Sequence, residues 1–129
     1  MTYKDLNVYK RAYKVALDFH QLLLKKEEEF NADEINQLLA LSKNVVSNIA
    51  EGFSQRSPKA KRFFNFKALD SIHNILLDLD FLRDTKRLPE KQCEHLYSEY
   101  DVCARQLYKY NQSILAAAKE SEAKVKVEA

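Results

Sequence analysis

The sequence predicts an all-α chain folded as an up-down-up-down four-helix bundle that assembles as a homo-oligomer. Three observations carry this. Apolar residues recur at three/four spacing along four long segments, the signature of amphipathic helices. Structure-breaking residues are scarce, with one glycine, Gly52, and two prolines, Pro58 and Pro89, in 129 residues. An all-β domain needs many more turn residues. Finally, 46% of the chain is apolar and 31% charged, enough to fill one core and unlike a disordered composition.

The first helix is expected from about Asp5 to Glu28. Its main stripe is Leu6, Tyr9, Tyr13, Ala16, Leu17, His20 and Leu24, with a second apolar stripe of Val8, Val15, Phe19 and Leu22 well around the wheel. Glu27 to Asp33 breaks the pattern, and Asn31 or Asp33 is suited to cap the next helix. Helix two runs to about Phe53, with Ile35, Leu38, Leu39, Ser42, Val45, Val46, Ile49 and Phe53 on its inner face and Gln37, Asn44, Ser47, Asn48 and Glu51 opposite. Gly52 lies near its end, where glycine leaves helical geometry cheaply. Ser57-Pro58 marks the next start, because Ser caps and Pro fits the first helical position. Helix three then continues to about Arg87, with Phe64, Ala68, Ile72, Ile75, Leu76, Leu79 and Leu82 facing inward. Pro89 restarts the chain into helix four, which carries Cys93, Leu96, Tyr97, Tyr100, Cys103, Ala104, Leu107, Ile114 and Ala118. Residues 1–118 are read as the bundle and 119–129 as a fraying polar tail. Short connections imply antiparallel neighbours.

Signs of catalysis are sparse. Di-iron bundles need two Glu-x-x-His motifs, and the nearest match is one Asp70-x-x-His73. His20, His73 and His95 fall on different helices, and one glycine cannot build a phosphate-binding loop. No metal, cofactor or catalytic residue is expected, and the chain is read as a non-enzyme. Cys93 and Cys103 lie about 15 Å apart on one helix, too far for a disulfide. Two thiols without a bridge, no apolar run long enough to span a membrane and no signal-peptide pattern suggest a cytoplasmic protein.

Two features exceed a plain bundle. Net charge is only +2, but Gly52 to Leu69 holds Arg56, Lys59, Lys61, Arg62 and Lys67 and no acidic residue. In an up-down bundle this turn shares an end with Lys10, Arg11 and Lys14. Such a basic end suits phosphate contact, with a solvated surface as the alternative. On this reading, reversing Lys61 and Arg62 to Glu weakens RNA binding. The second feature is surplus apolar surface. Phe63, Phe66 and Phe81 fall off the core face of helix three, and the Val8, Val15, Phe19, Leu22 stripe is extra on helix one. Extra stripes mark contact with another chain, here assigned to a subunit interface.

The string Asn48-Ile49-Ala50-Glu51-Gly52, with Phe53, Ser57 and Phe63-Phe64 after it, resembles the four-helix-bundle proteins encoded in intervening sequences of bacterial large-subunit rRNA genes. Leu6 to Tyr9, Phe30 with Glu34, and Phe64 with Ala68 agree, so the resemblance spans about Asp5 to Leu82. Ala40, Asn31, Asp70 and Asn74 depart from the family pattern. The resemblance implies a homopentamer. It also implies kinship with the accessory variability determinants of diversity-generating retroelements, which bind a reverse transcriptase and its template RNA. The function expected is a non-enzymatic oligomeric adaptor contacting RNA or an RNA–protein complex. The alternatives are the retroelement accessory role and a protein–protein scaffold. Asn48 and Glu51 are expected on the outer side of helix two, as a cap, an interface pair or a partner contact.

Overall fold

The computed structural model describes residues 1–128. Four helices make up the bundle: α1 (Asn7–Lys25), α2 (Ala32–Ser54), α3 (Pro58–Asp84) and α4 (Glu90–Glu128). One-turn 3-10 helices precede α1 at Tyr3–Asp5 and link α1 to α2 at Glu27–Glu29. Each helix packs on its neighbours in the cyclic order α1, α2, α3, α4. Arg11 meets Glu99 and Asp18 meets His95, so α1 and α4 run antiparallel.

The helix starts follow from local chemistry. Asn31 caps α2: its side chain accepts from the Glu34 N–H at 2.8 Å, and the Glu34 carboxylate accepts from the Asn31 N–H at 3.1 Å. Ser57 caps α3, accepting the Ala60 N–H at 3.0 Å, with Pro58 at the first helical position. At the far end, Lys86 takes a left-handed φ of 60° in the α3–α4 turn. The next residue, Arg87, clamps that turn to the α1–α2 connection. It donates to both Glu34 carboxylate oxygens at 2.7 and 2.8 Å and to the Glu29 carbonyl at 2.7 Å, and its guanidinium lies 4.5 Å from the Phe30 ring centre.

The core takes the second stripe of α1 and holds the expected main stripe only at its edge, with Leu6, Tyr9, Ala16 and His20 half-buried. Val8, Val15 and Phe19, expected at a subunit interface, are buried within the protomer with Ala12 and Leu23. Phe19 packs edge-to-face on Tyr100 of α4, and Leu22 is half-buried against the same core. Tyr13, Leu17 and Leu24, expected inside, are 50%, 47% and 51% exposed. Both stripes have the same period, so periodicity cannot rank them. The stripe taken inside, Val8, Ala12, Val15, Phe19 and Leu23, is wholly apolar, whereas the other carries the polar tips of Tyr9, Tyr13 and His20.

Gly52 also differs from expectation. It is helical, without positive φ, and α2 continues through it to Ser54. A Cβ there would lie 3.2 Å from the Lys61 carbonyl oxygen, Phe64 Cβ and Asn65 Oδ1. Gly52 is therefore the point where α2 and α3 approach closely. Beside it, Asn65 donates to Asn111 Oδ1 at 2.8 Å and ties α3 to α4 inside the bundle.

Candidate nucleic-acid interface and exposed apolar faces

The α2–α3 turn and the start of α1 lie at one end of the bundle, since Tyr3 shares a groove with Ala50, Glu51 and Ser54. The eight cations expected at this end divide into two groups. Lys10, Lys14, Arg56, Lys59 and Lys67 are exposed and form no ion pair among the described residues. Lys67 rests its ammonium 5.6 Å from the Phe63 and Phe64 ring centres.

Arg11, Lys61 and Arg62 are engaged within the protomer. Arg11 donates to Glu99 at 2.8 Å. Lys61 Nζ donates to the Phe53 carbonyl at 2.9 Å, so the cation satisfies the C-terminus of α2. Arg62 lies half-buried with its guanidinium 5.6 Å from the Phe66 ring centre, its Nε enclosed without a partner and its carbonyl accepting from Asn111 at 3.4 Å. Reversing Lys61 and Arg62 would thus disturb the α2–α3 junction as well as any phosphate contact.

The Asn48–Gly52 string splits across α2. Ile49 and Gly52 are buried, and Ala50 is half-buried. Asn48 donates back to the Asn44 carbonyl at 2.8 Å, and the exposed Glu51 carboxylate accepts from Gln55 at 3.0 Å. Both polar members are therefore held along their own helix.

α4 continues past Ala118, the expected edge of the bundle, as helix to Glu128. With Asn111 opposite Arg62 and Asn65, α4 passes the start of α3 near Ala117. Its last turns extend beyond the basic end, with side chains exposed from Lys119 to Val127.

Two large apolar faces remain outside the core. Phe63, Phe66 and Phe81 are 57%, 42% and 69% exposed, as expected, and Leu77 joins them at 65%. At 100° per residue these four lie within about 60° on the outward side of α3. The other is a groove of about 750 Å³ between α1 and α2, walled by Tyr9, Tyr13, Leu17 and Val46 and edged by Lys43 and Glu51. Sequence periodicity marked the α1 wall as apolar but placed it inside.

Neither cysteine is an activated nucleophile. Burial pushes Cys103 up to about 12 and raises Cys93, which suppresses the thiolate form. Among the described residues, no group of three His, Cys, Asp or Glu side chains gathers as a metal site, and no helix is long and apolar enough to cross a membrane.

Residues 4–109 match the family model described as 23S rRNA-intervening sequence protein. No curated protein and no solved structure gives a significant match to the chain.

Proposed function

The chain belongs to the 23S rRNA-intervening sequence protein family, and from that premise we propose that it is a non-enzymatic, homo-oligomeric adaptor whose basic end contacts RNA. One observation carries the reading. Lys10, Lys14, Arg56, Lys59 and Lys67 present exposed cationic heads around one end of the bundle, with no carboxylate in the chain from Gly52 to Leu69. Cations already committed to carboxylates gain little from a phosphate, whereas these heads are available to displace its counterions. A net charge of +2 is small for a nucleic-acid-binding chain. Repetition of the patch in an oligomer supplies avidity that one protomer lacks.

The test is a titration of the protein against a structured rRNA fragment and an unrelated RNA at two salt concentrations. The companion variant is Arg56→Glu/Lys59→Glu, because both side chains are exposed and, among the described residues, neither forms an ion pair. Wild-type binding should weaken steeply with salt. The variant should bind at least about tenfold more weakly, with a salt slope shallower by about 1–2 for each protomer engaged, as expected for two lost phosphate contacts per protomer. Equal affinity in variant and wild type would overturn the basic-end assignment. No binding by the wild type at low salt would favour a protein–protein scaffold.

A further inference from the structure

A cavity of about 550 Å³ lies between α2 and α3, toward the end of the bundle away from the basic patch. Its charged walls are Glu34, Arg87 and Asp78, one more negative than positive. Glu34 and Arg87 are bonded to each other. Asp78 is half-buried and forms no ion pair among the described residues. Burial raises its carboxyl above the ordinary carboxylate range, and no cation lowers it. Phe81, one turn further along α3, lines the same cavity and is 69% exposed.

The same end of the molecule shows what a carboxylate beside a phenyl ring can hold. The Arg87 guanidinium donates to the two Glu34 carboxylate oxygens at 2.7 and 2.8 Å and lies 4.5 Å from the Phe30 ring centre. The guanidinium is thus gripped by its edge through paired N–H groups and by its face through the ring. Asp78 and Phe81 bring the same two groups together on one helix. Leu41 and Leu82 add apolar wall on which an alkyl stem can lie. Other ligand classes suit the cavity less well. An anion would meet the Asp78 carboxylate, and an apolar group would leave that carboxylate desolvated and unpaired. A calcium ion takes about six to eight oxygen ligands, and no group of three His, Cys, Asp or Glu side chains gathers among the described residues. An ammonium matches the charge, but it has neither the planar face nor the paired N–H groups of a guanidinium.

We propose that the α2–α3 cavity binds an alkylguanidinium, with the edge of the cation on the Asp78 carboxylate, its face on the Phe81 ring and its stem along Leu41 and Leu82. The site lies away from the cations assigned to RNA and does not depend on that reading. A free small molecule and an arginine side chain of a partner protein share this chemistry.

The experiment is a ligand-observed NMR titration of the full chain with three probes: agmatine, the capped tripeptide acetyl-Gly-Arg-Gly-amide, and the same tripeptide with citrulline for arginine. Citrulline keeps the shape of the side chain and removes its charge, so that tripeptide should bind at least about tenfold more weakly than the arginine one. Asp78→Asn, nearly isosteric, should weaken guanidinium binding at least about tenfold, and Phe81→Leu about threefold. Asp70→Asn removes an exposed carboxylate about two turns earlier on α3 and should leave affinity unchanged. Circular dichroism checks that each variant keeps its helicity. Binding of agmatine but not of the arginine tripeptide would identify the ligand as a free small molecule. Binding of the arginine tripeptide would identify an arginine of a partner protein. The proposal is overturned if neither binds, if the citrulline tripeptide binds as well as the arginine one, or if either cavity variant binds like the wild type. It is also overturned if Asp70→Asn weakens binding as much as Asp78→Asn, since the attraction would then be general rather than sited.

Discussion

Gly52 shows how one atom can set the spacing of two helices. Gly→Ala inside a helix ordinarily gains about 1 kcal/mol of propensity. Here the added Cβ would meet a backbone carbonyl and a Cβ of α3 at 3.2 Å, atoms that cannot swing aside. We expect overpacking to win, so that Gly52→Ala loses about 1–2 kcal/mol in urea unfolding. A gain in stability would show that α3 shifts freely. The Asn65–Asn111 pair is a second such point, since both side chains are buried and bonded to each other. Asn65→Leu strands the Asn111 amide oxygen and should cost about 1–3 kcal/mol. Asn65→Leu/Asn111→Leu should cost less than the two single changes summed, a coupling that a double-mutant cycle reads directly. Glu34 contributes a pH dependence of its own. The Arg87 hydrogen bond, aided by the Asn31 N–H, lowers its carboxyl from 4.5 to about 2. A depressed folded-state value means the contribution is full above about pH 4.5 and fades as pH falls toward 2. Glu34→Gln should therefore flatten melting temperature against pH across that window, and an unchanged profile would show that the clamp contributes nothing to acid stability.

Helix boundaries answer to caps. Ser57 was legible as the start of α3 because Ser-Pro has a direct meaning at a helix N-terminus, and its hydroxyl does accept the Ala60 N–H. Ser57→Ala should cost about 1 kcal/mol by thermal or urea unfolding, with Ser57→Asp retaining most of the cap. A neutral Ser57→Ala would mean that the cap is replaced by water. α1 was harder. Its seam of Val8, Ala12, Val15, Phe19 and Leu23 includes Ala12, a small residue whose 0% exposure sequence periodicity does not announce. Tyr13 and Leu17 have the same spacing as a core stripe and stand about half exposed. α4 persists to Glu128 because nothing in its last turns forbids helix: they are alanine-, glutamate- and lysine-rich, and no proline or glycine stops them.

For the whole chain, a modest net charge hides an uneven distribution. Of eight cations named from the sequence, Arg11 and Lys61 are engaged by Glu99 and the Phe53 carbonyl, Arg62 is half-buried with its guanidinium beside the Phe66 ring, and the other five are exposed. Charge reversal at Arg56 and Lys59 is therefore a cleaner probe of RNA contact than reversal at Lys61 and Arg62. The same separation applies to apolar surface. Phe63, Phe66 and Phe81 were identifiable as surplus because they fall off the α3 core arc, whereas the groove between α1 and α2 exists only once two helices lie side by side.

The sequence by itself determined the four helices and most of the inner faces of α2, α3 and α4, missing buried Asn65, Leu69 and Asn111 and placing half-exposed Tyr97 inside. Periodicity, caps and the scarcity of Gly and Pro are properties of the local chain, and Leu38, Val45, Ile49, Ile72, Ile75, Leu96 and Leu107 are buried as their spacing requires. The Asn48–Gly52 string, with the pieces around it, also pointed to the family that the match over residues 4–109 shows. Tertiary structure decided which stripe of α1 turns inward, why Gly52 has no side chain, and which cations are engaged inside the protomer. Each of these depends on atoms of another helix: Tyr100 against Phe19, Lys61 against Gly52, Glu99 against Arg11. Local spacing fixes the angle of a side chain around its own helix. What stands opposite that side chain is fixed only when the other helices arrive.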